Sequence, residues 1–400
     1  MKNVNFVSVS SVLASVILLT SPAIGQEQSG WESDGFLRWN NETTGDEFKL
    51  RGRLLLDAAN LDWTEGGVET EIQDSEIRDA RLGFQGRSGS FKYVAEFGFL
   101  NETISAKALY VTYAADGFNV QVGHMKTPNS IEFLSAPLYS TFMERGSGSY
   151  LYSLGRQVGV AVSTSGDNYS FKAGVYGGRF GDLSESVELD DSSAVAARLT
   201  YVPINTDDML VHLGASFRHY DYGGAGTRVR SRAGAHLTPR LVTADFRPGR
   251  PLGEADTSML WEVEAAIVSG PFYVHGEYMT MNVDGPTDDP TFDSVFVNTG
   301  WFLTGETRPY RTSSGTFTRI SPNSPVSEGG HGAWEVAARY DHSDLNEVAA
   351  GELTTWSLGL NWYVDKRFRI MANIVDGERS LTGGNDISAD GAQIRMQWDF

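Results

Sequence analysis

The sequence contains no cysteine, which excludes a disulfide framework, thiolate metal sites and a thiol nucleophile. Long apolar runs are also missing. After Gly25 no stretch of about 18 apolar residues occurs, so no α-helix is expected to span a membrane. Basic residues are scarce: 32 Lys and Arg stand against 51 Asp and Glu, a formal net charge of −19. A nucleic-acid binder normally carries a basic face, and no nucleic-acid partner is expected. Catalytic spacings are lacking as well. The 7 histidines form no His-Glu-x-x-His pattern, and no Gly-x-Ser-x-Gly elbow occurs. Gly146-Ser147-Gly148-Ser149 reads as a loop piece. Neither an enzyme, a metal centre nor a bound cofactor is therefore expected.

What is present is glycine, at 44 residues, aromatics, at 12 %, and alternation. Trp356, Leu358, Leu360 and Trp362 share one strand face and Asn361 the other. Trp334, Val336, Ala338 and Tyr340 oppose Glu335 and Arg339, and Met209, Val211, Leu213, Ala215 and Phe217 oppose His212 and Arg218. One apolar and one polar face, repeated along the chain, is the pattern of a transmembrane β-barrel. Sixteen strands are predicted, near 46–59, 73–86, 89–99, 103–114, 117–126, 156–164, 168–178, 192–202, 208–220, 257–270, 271–282, 292–306, 331–343, 352–364, 366–376 and 390–400. Short turns alternate with long segments at 60–72, 127–155, 179–191, 221–256, 283–291, 307–330 and 377–389. The long segments are expected on one rim and the short turns on the other. A soluble β-sandwich alternates too, but a leader and so many long strands favour the barrel.

The leader is read from Lys2, the apolar stretch Phe6 to Leu19, and the small residues of Ser21-Pro22-Ala23-Ile24-Gly25, with a cut before Gln26. Residues 1–25 are thus expected to be a signal peptide. Residues 26–45 lead into the barrel, and 46–400 form it.

Alternation also assigns faces. Arg or Lys facing lipid at mid-membrane costs about 2–4 kcal/mol, so charged strand residues are expected to face the lumen. Lys49, Arg51, Arg53, Arg81, Lys92, Lys172, Arg198 and Arg218 fall there, with Arg339, Arg367, Arg369 and Arg395; the acids include Asp57, Asp79 and Glu96. The lumen is expected to be cationic although the chain is anionic, the excess acid lying in loops such as 182–191. Such a wall concentrates anions. The competing reading is that wall Arg and Glu merely pair and hold the barrel open.

Several blocks resemble the phosphate-selective porin family of the O and P type. They are Phe48-Lys49-Leu50-Arg51-Gly52-Arg53, Arg78-Asp79-Ala80-Arg81-Leu82-Gly83-Phe84, Val122-Gly123-His124-Met125-Lys126-Thr127-Pro128, Thr141-Phe142-Met143-Glu144-Arg145, Trp301-Phe302-Leu303-Thr304-Gly305-Glu306 and Leu358-Gly359-Leu360-Asn361-Trp362-Tyr363. The resemblance implies a sixteen-stranded all-β barrel in bacterial outer-membrane lipid, a homotrimer, and a long third loop, here 127–155, folded into the pore. It also implies that terminal Phe400 addresses the barrel assembly machinery. Lys126, Arg51, Arg53, Arg81, Lys92 and Arg218 are the candidate pore residues. Glu132, Glu144, Arg145 and Arg156 are the candidate anchors of the loop, with Arg145 and Arg156 tying it through Glu144 or Glu132. His124, Met125 and Asn129 depart from the family pattern, and the arginine ladder of phosphate-specific members is only partial. The expected function is passive diffusion of small hydrophilic solutes with an anion preference, phosphate or other oxyanions included. The alternatives are a non-selective porin and a structural or adhesive barrel acting through its loops. Arg228, Arg230, Arg232, Arg240, Arg247 and Arg250 make the 221–256 loop basic, either an anion funnel or a solvated loop.

Overall fold

The computed structural model describes residues 29–33, 37–152, 155–178, 180, 191–286, 288–381 and 383–400. The expected leader, and nearly all of the acidic segment 182–191, lie outside the described residues.

Sixteen antiparallel strands form a closed barrel. They are β1 (Asp46–Glu65), β2 (Val68–Ser88), β3 (Phe91–Leu100), β4 (Thr103–Ala114), β5 (Asn119–Lys126), β6 (Arg156–Ser165), β7 (Tyr169–Tyr176) and β8 (Ser193–Asn205). The second half runs β9 (Met209–Asp221), β10 (Thr257–Ser269), β11 (Phe272–Asp284), β12 (Thr291–Phe302), β13 (Ala333–Asp344), β14 (Glu352–Asp365), β15 (Phe368–Ser380) and β16 (Ile387–Asp399). Each strand pairs with its sequence neighbours, and β16 pairs with β1 from Ile387 opposite Glu65 to Asp399 opposite Arg53. Closure leaves no open edge along the seam. Below Arg53, where β16 stops, the edge of β1 is covered by an N-terminal hairpin, Ser29–Ser33 and Leu37–Asn41, through Arg38 opposite Lys49 to Asn41 opposite Asp46.

The alternation has the expected cause. Trp356, Leu358, Leu360, Ile374, Ile394 and Trp398 stand exposed on the outer surface, while Asn361, Arg369, Arg395 and Gln397 are buried inside. An apolar outer band over a polar interior suits a wall bathed in lipid. The wall is uneven in height. β1 and β2 have 20 and 21 residues, whereas β3 has 10 and β5 has 8. β2 meets β3 only over Arg81–Ser88, so the β1–β2 hairpin rises above β3, while β16 lines it to its tip.

Three expectations about the connections are corrected. Residues 60–72 are no loop: β1 and β2 run to Glu65 and from Val68 and turn at Gly66 and Gly67, both with positive φ. Segment 377–389 shrinks to 381–386 because β15 continues to Ser380. The third correction matters most. Segment 303–332 follows the twelfth strand, so it returns to the rim that carries the chain termini, not to the rim of the other long loops. Length alone did not reveal its side; strand parity does.

Candidate pore constriction

The 127–155 loop turns inward as expected. Its entry is set by Ser130, held at φ 66°, whose hydroxyl accepts from the Phe133 N–H and starts a single helical turn, Ile131–Leu134. Two wall carboxylates take the next orphaned amides. Ile131 N–H donates to Glu264 at 2.6 Å and Glu132 N–H to Glu277 at 2.8 Å. Such pairing satisfies donors that a helix start leaves free.

The loop then crosses the lumen against β9 to β16. Wall side chains grip its backbone one after another: Arg369 donates to the Ser140 carbonyl at 2.8 Å, Asn361 to Thr141 at 2.9 Å, and Arg339 to Glu144 at 2.8 Å. Met143 N–H donates to Asn373 at 2.9 Å, Ser147 N–H to Asp341 at 2.7 Å, and Arg218 to the Tyr152 carbonyl at 2.7 Å. The ring of Phe142 lies under the Arg339 guanidinium, 4.6 Å away. The inward arginines of this half of the barrel are therefore engaged with loop carbonyls.

Two carboxylates of the loop return the grip. Glu132 pairs with Arg339, and Glu144 pairs with Arg78 at 2.8 Å and Arg395 at 3.1 Å. Burial opposes the charge on Glu144, yet Arg78 and Arg395 outweigh it and hold the carboxyl well below the usual range. Tyr150 donates to the same carboxylate; burial, then Glu144, pushes its phenol up to about 12.

From the opposite rim, segment 303–332 rises to meet the loop. Arg308 donates to the Thr141 hydroxyl and, at 3.2 Å, to the Tyr139 carbonyl. Its guanidinium is sandwiched between the rings of Tyr273 and Phe317, 4.3 Å from each. Arg198 binds the Ser314 and Gly315 carbonyls, Tyr310 meets His212 at 2.6 Å, and Arg319 pairs with Asp399. A third insert, the hairpin Thr227–Ser231 and Val242–Phe246 of the 222–256 loop, folds in at the far rim. Ala233 seats on Gly377, and His236 meets Glu76 at 2.7 Å.

Open volume remains beside β1 and β3 to β7. A cavity of about 250 Å³ lies between the tip of the 127–155 loop, at Leu134, Ala136 and Pro137, and the wall. Its charged lining is Arg51, Arg53, Lys126, Arg156 and Lys172 against Glu96. Towards the terminal rim it adjoins, through Val94, Tyr110 and Gln121, a cavity of about 600 Å³ that includes Arg38, Lys49, Arg87, Lys92 and Arg311 against Glu47. Towards the far rim Arg156 is shared with a narrower cavity of about 90 Å³ that holds Arg218 among Tyr152, Tyr220 and Tyr222. Neighbouring cavities share lining residues, and in each the basic side chains outnumber the acids.

The candidates from sequence separate accordingly. Arg51, Arg53 and Lys126 meet in the central cavity, Lys92 lies in the next one, and Arg218 in the narrow one. Arg81 is tied to Asp79 and Glu96, each at 2.8 Å. The Lys126 ammonium rests on the carbonyls of Phe133, Leu134 and Ser135 and also closes the loop's helical turn. Among the anchors, Glu132 and Glu144 bind wall arginines. Arg145 works within the loop, donating to the Glu132 and Ser135 carbonyls at 3.2 and 3.3 Å. Arg156 lines two cavities. The expected pairing of Arg145 and Arg156 with the two glutamates is thus replaced by Arg78, Arg339 and Arg395. Lys172, Gln121 and Arg308 were missed as site residues; Lys172 carried the only signal, an inward face on a short strand.

The profile of the family described as phosphate-selective porin O and P matches residues 48–400. Porin O of Pseudomonas aeruginosa is 25 % identical over 404 residues, covering 88 % of each chain. An uncharacterized protein of Caulobacter vibrioides is 30 % identical over 380 residues, 90 % of this chain and 75 % of that one. Among solved structures, the anion-selective porin of Comamonas acidovorans superposes with a TM-score of 0.54 at 12 % identity, covering 89 % of this chain and all 100 % of that one. The outer-membrane channel DcaP of Acinetobacter baumannii gives 0.55 at 14 %, covering 90 % and 99 %. A trimer form of OmpT of Vibrio cholerae gives 0.50 at 13 %, covering 89 % and 99 %. At these identities the structures share the fold.

Proposed function

The chain belongs to the phosphate-selective porin O and P family and is an outer-membrane porin; on that premise we propose that it passes small anions along the neighbouring basic cavities. The observation that carries the reading is the central cavity, where Arg51, Arg53, Lys126, Arg156 and Lys172 face a single acid, Glu96. Fixed positive charge in a narrow passage raises the local concentration of anions and repels cations. The acidic total of the chain does not oppose this, because the field in the lumen is set by the groups nearest to it.

The proposal stops at small anions as a class. Arg51 pairs with Glu96 at 2.8 Å, Arg53 with Asp79 at 2.9 Å, and Arg81 with both acids. Guanidinium groups engaged in this way have fewer donors left for a bidentate grip on phosphate. The excess charge comes from Lys126, Arg156 and Lys172, which offer a diffuse field rather than a fitted site. Reversal potentials across a planar bilayer under a salt gradient, in chloride and then in phosphate, test the reading. Anion preference in both supports it; cation preference refutes it.

The remaining features are part of the same proposal. Residues 1–25 act as the export leader, Phe400 is presented to the assembly machinery, and the functional unit is a homotrimer in outer-membrane lipid. The OmpT trimer form, of the same fold, supports the last of these.

A further inference from the structure

Away from the anion path, under the first turn of the 127–155 loop, the wall concentrates negative charge. Glu262 and Glu264 of β10 and Glu277 of β11 are 2 %, 4 % and 3 % exposed. A carboxylate oxygen of each lies within 4.8 Å of the others. Arg198 answers only one of them: it binds Glu264, at 2.9 Å from its Nε, while His212 donates to the same oxygen at 3.0 Å. Glu262 receives a hydrogen bond from the Ser216 hydroxyl, at 2.5 Å, and Glu277 is met by the Glu132 N–H and His275 at 2.8 and 3.1 Å. The nearby Glu132 carboxylate is matched by Arg339.

The second observation is a set of buried oxygens with no protein partner. Oε1 of Glu262 and Oε2 of Glu277 accept nothing among the described residues, and neither does Oδ1 of Asn129, whose residue is 0 % exposed. Asn129 sits beside this cluster: its amide N–H donates to the Ser216 hydroxyl at 3.0 Å, which in turn donates to Glu262. Buried acceptors of this kind are rare in proteins unless an ion or water serves them.

We propose that Glu262, Glu264 and Glu277 bind one calcium ion that fastens the first turn of the constriction loop to the barrel wall. The donors are all hard oxygens, as calcium requires. A cage made of protein oxygens favours calcium over magnesium, which gives up its waters reluctantly and demands near-ideal octahedral geometry. Two oxygens on one calcium stand at most about 5 Å apart and on one magnesium about 4 Å, from metal–oxygen distances of about 2.4 and 2.1 Å. The three carboxylates lie within 4.8 Å of one another, inside the span one calcium can bridge. Two positive charges would balance the two carboxylates that Arg198 leaves unanswered. Glu264 and Glu277 also hold the amides of Ile131 and Glu132, so the ion would brace the site where the loop leaves the wall.

Equilibrium dialysis of the purified full-length barrel against radioactive calcium tests the site. One calcium per chain is expected, with magnesium a weak competitor. Glu262→Gln and Glu277→Gln, which keep the shape, are each expected to weaken binding by about tenfold or more. EDTA is expected to lower the thermal midpoint of the native protein and to leave that of Glu262→Gln unmoved. No calcium retained by the native protein, or retention unchanged in either variant, would overturn the proposal. Should the variants fail to fold, the native stoichiometry alone decides. The site lies outside the anion path, so this outcome is independent of the selectivity measurement.

Discussion

Gly52 and Phe400 close the barrel: each donates its backbone N–H to the other's carbonyl, at 3.1 and 3.0 Å. A Cβ on Gly52 would stand 2.4 Å from the Phe400 ring and 2.9 Å from the Arg81 carbonyl oxygen. The ring could turn aside, but the carbonyl belongs to the β1–β2 ladder and cannot. Gly52→Val is therefore expected to hinder closure. Refolding into detergent micelles, followed by heat-modifiability on gels, should show a clear fall in the folded fraction relative to the native chain.

Lys172 and Arg156 are expected to set the anion preference. A unit charge at about 4 Å is worth about 1 kcal/mol in water-like surroundings, or about fivefold in local anion concentration. Lys172 reaches Gln121 at 2.6 Å and no acid among the described residues, so its replacement strands no carboxylate. Lys172→Glu should lower the anion-to-cation permeability ratio by that factor or more while leaving the folded yield unchanged. An unaltered reversal potential would move Lys172 to a structural role.

Glu144 is expected to anchor the constriction loop. Glu144→Ala strips Arg78 of its paired carboxylate while Arg395 keeps Asp57 at 2.6 Å, so the loss should fall below the ~3–5 kcal/mol of a buried pair broken outright. A lower thermal midpoint and noisier, larger single-channel currents are the expected readouts.

Acid sharpens the same point. A carboxyl whose pKa is depressed in the folded protein stabilises it fully above its unfolded value of about 4.3. That contribution fades only as the pH falls towards the depressed value. Because Arg78 and Arg395 hold the Glu144 carboxyl low against the opposing effect of burial, the loop should stay seated in mild acid. Single-channel conductance is expected to show no loop-release transition between neutral pH and about pH 4. A step near the ordinary carboxylate range would contradict this.

Gly377 provides the test of the far-rim hairpin. A Cβ there would lie 2.1 Å from the Cβ of Ala233, so Gly377→Val should lift the 222–256 insert from the wall. Faster reaction of a cysteine placed at Ala233 with a water-soluble maleimide would register the displacement.

The sequence made the wall legible and the interior only partly so. Alternation such as Trp356, Leu358 and Leu360 against Asn361 is a local signal, because neighbouring side chains point to opposite faces. The signal failed at residues 60–72. There Leu61 and Trp63 face inward, but Asp62, Thr64, Glu69 and Glu71 face solvent above the lipid, so the outer face carries no apolar band. The cationic lumen was also legible, but not its division. Arg218, Arg339, Arg369 and Arg395 look like Arg51 and Arg53 in sequence. What separates them is the run of loop carbonyls laid against one half of the barrel, and backbone direction leaves no trace in residue type. Segment 303–332 shows a third limit. Its length suggested a loop of the outer rim, whereas counting strands places it at the inner one, from which Arg308 reaches Thr141.

The grip of the late strands on an early loop has a consequence for assembly. Met143 meets Asn373 across 230 positions, and Arg395 meets Glu144 across 251. Contacts of such separation form slowly, because a long chain must be ordered before they reward it. The 127–155 loop is made before β9 to β16 exist, yet it is held almost wholly by them. The narrowest part of the passage is therefore the last to take shape, and a barrel caught just short of completion would leak more than the finished one.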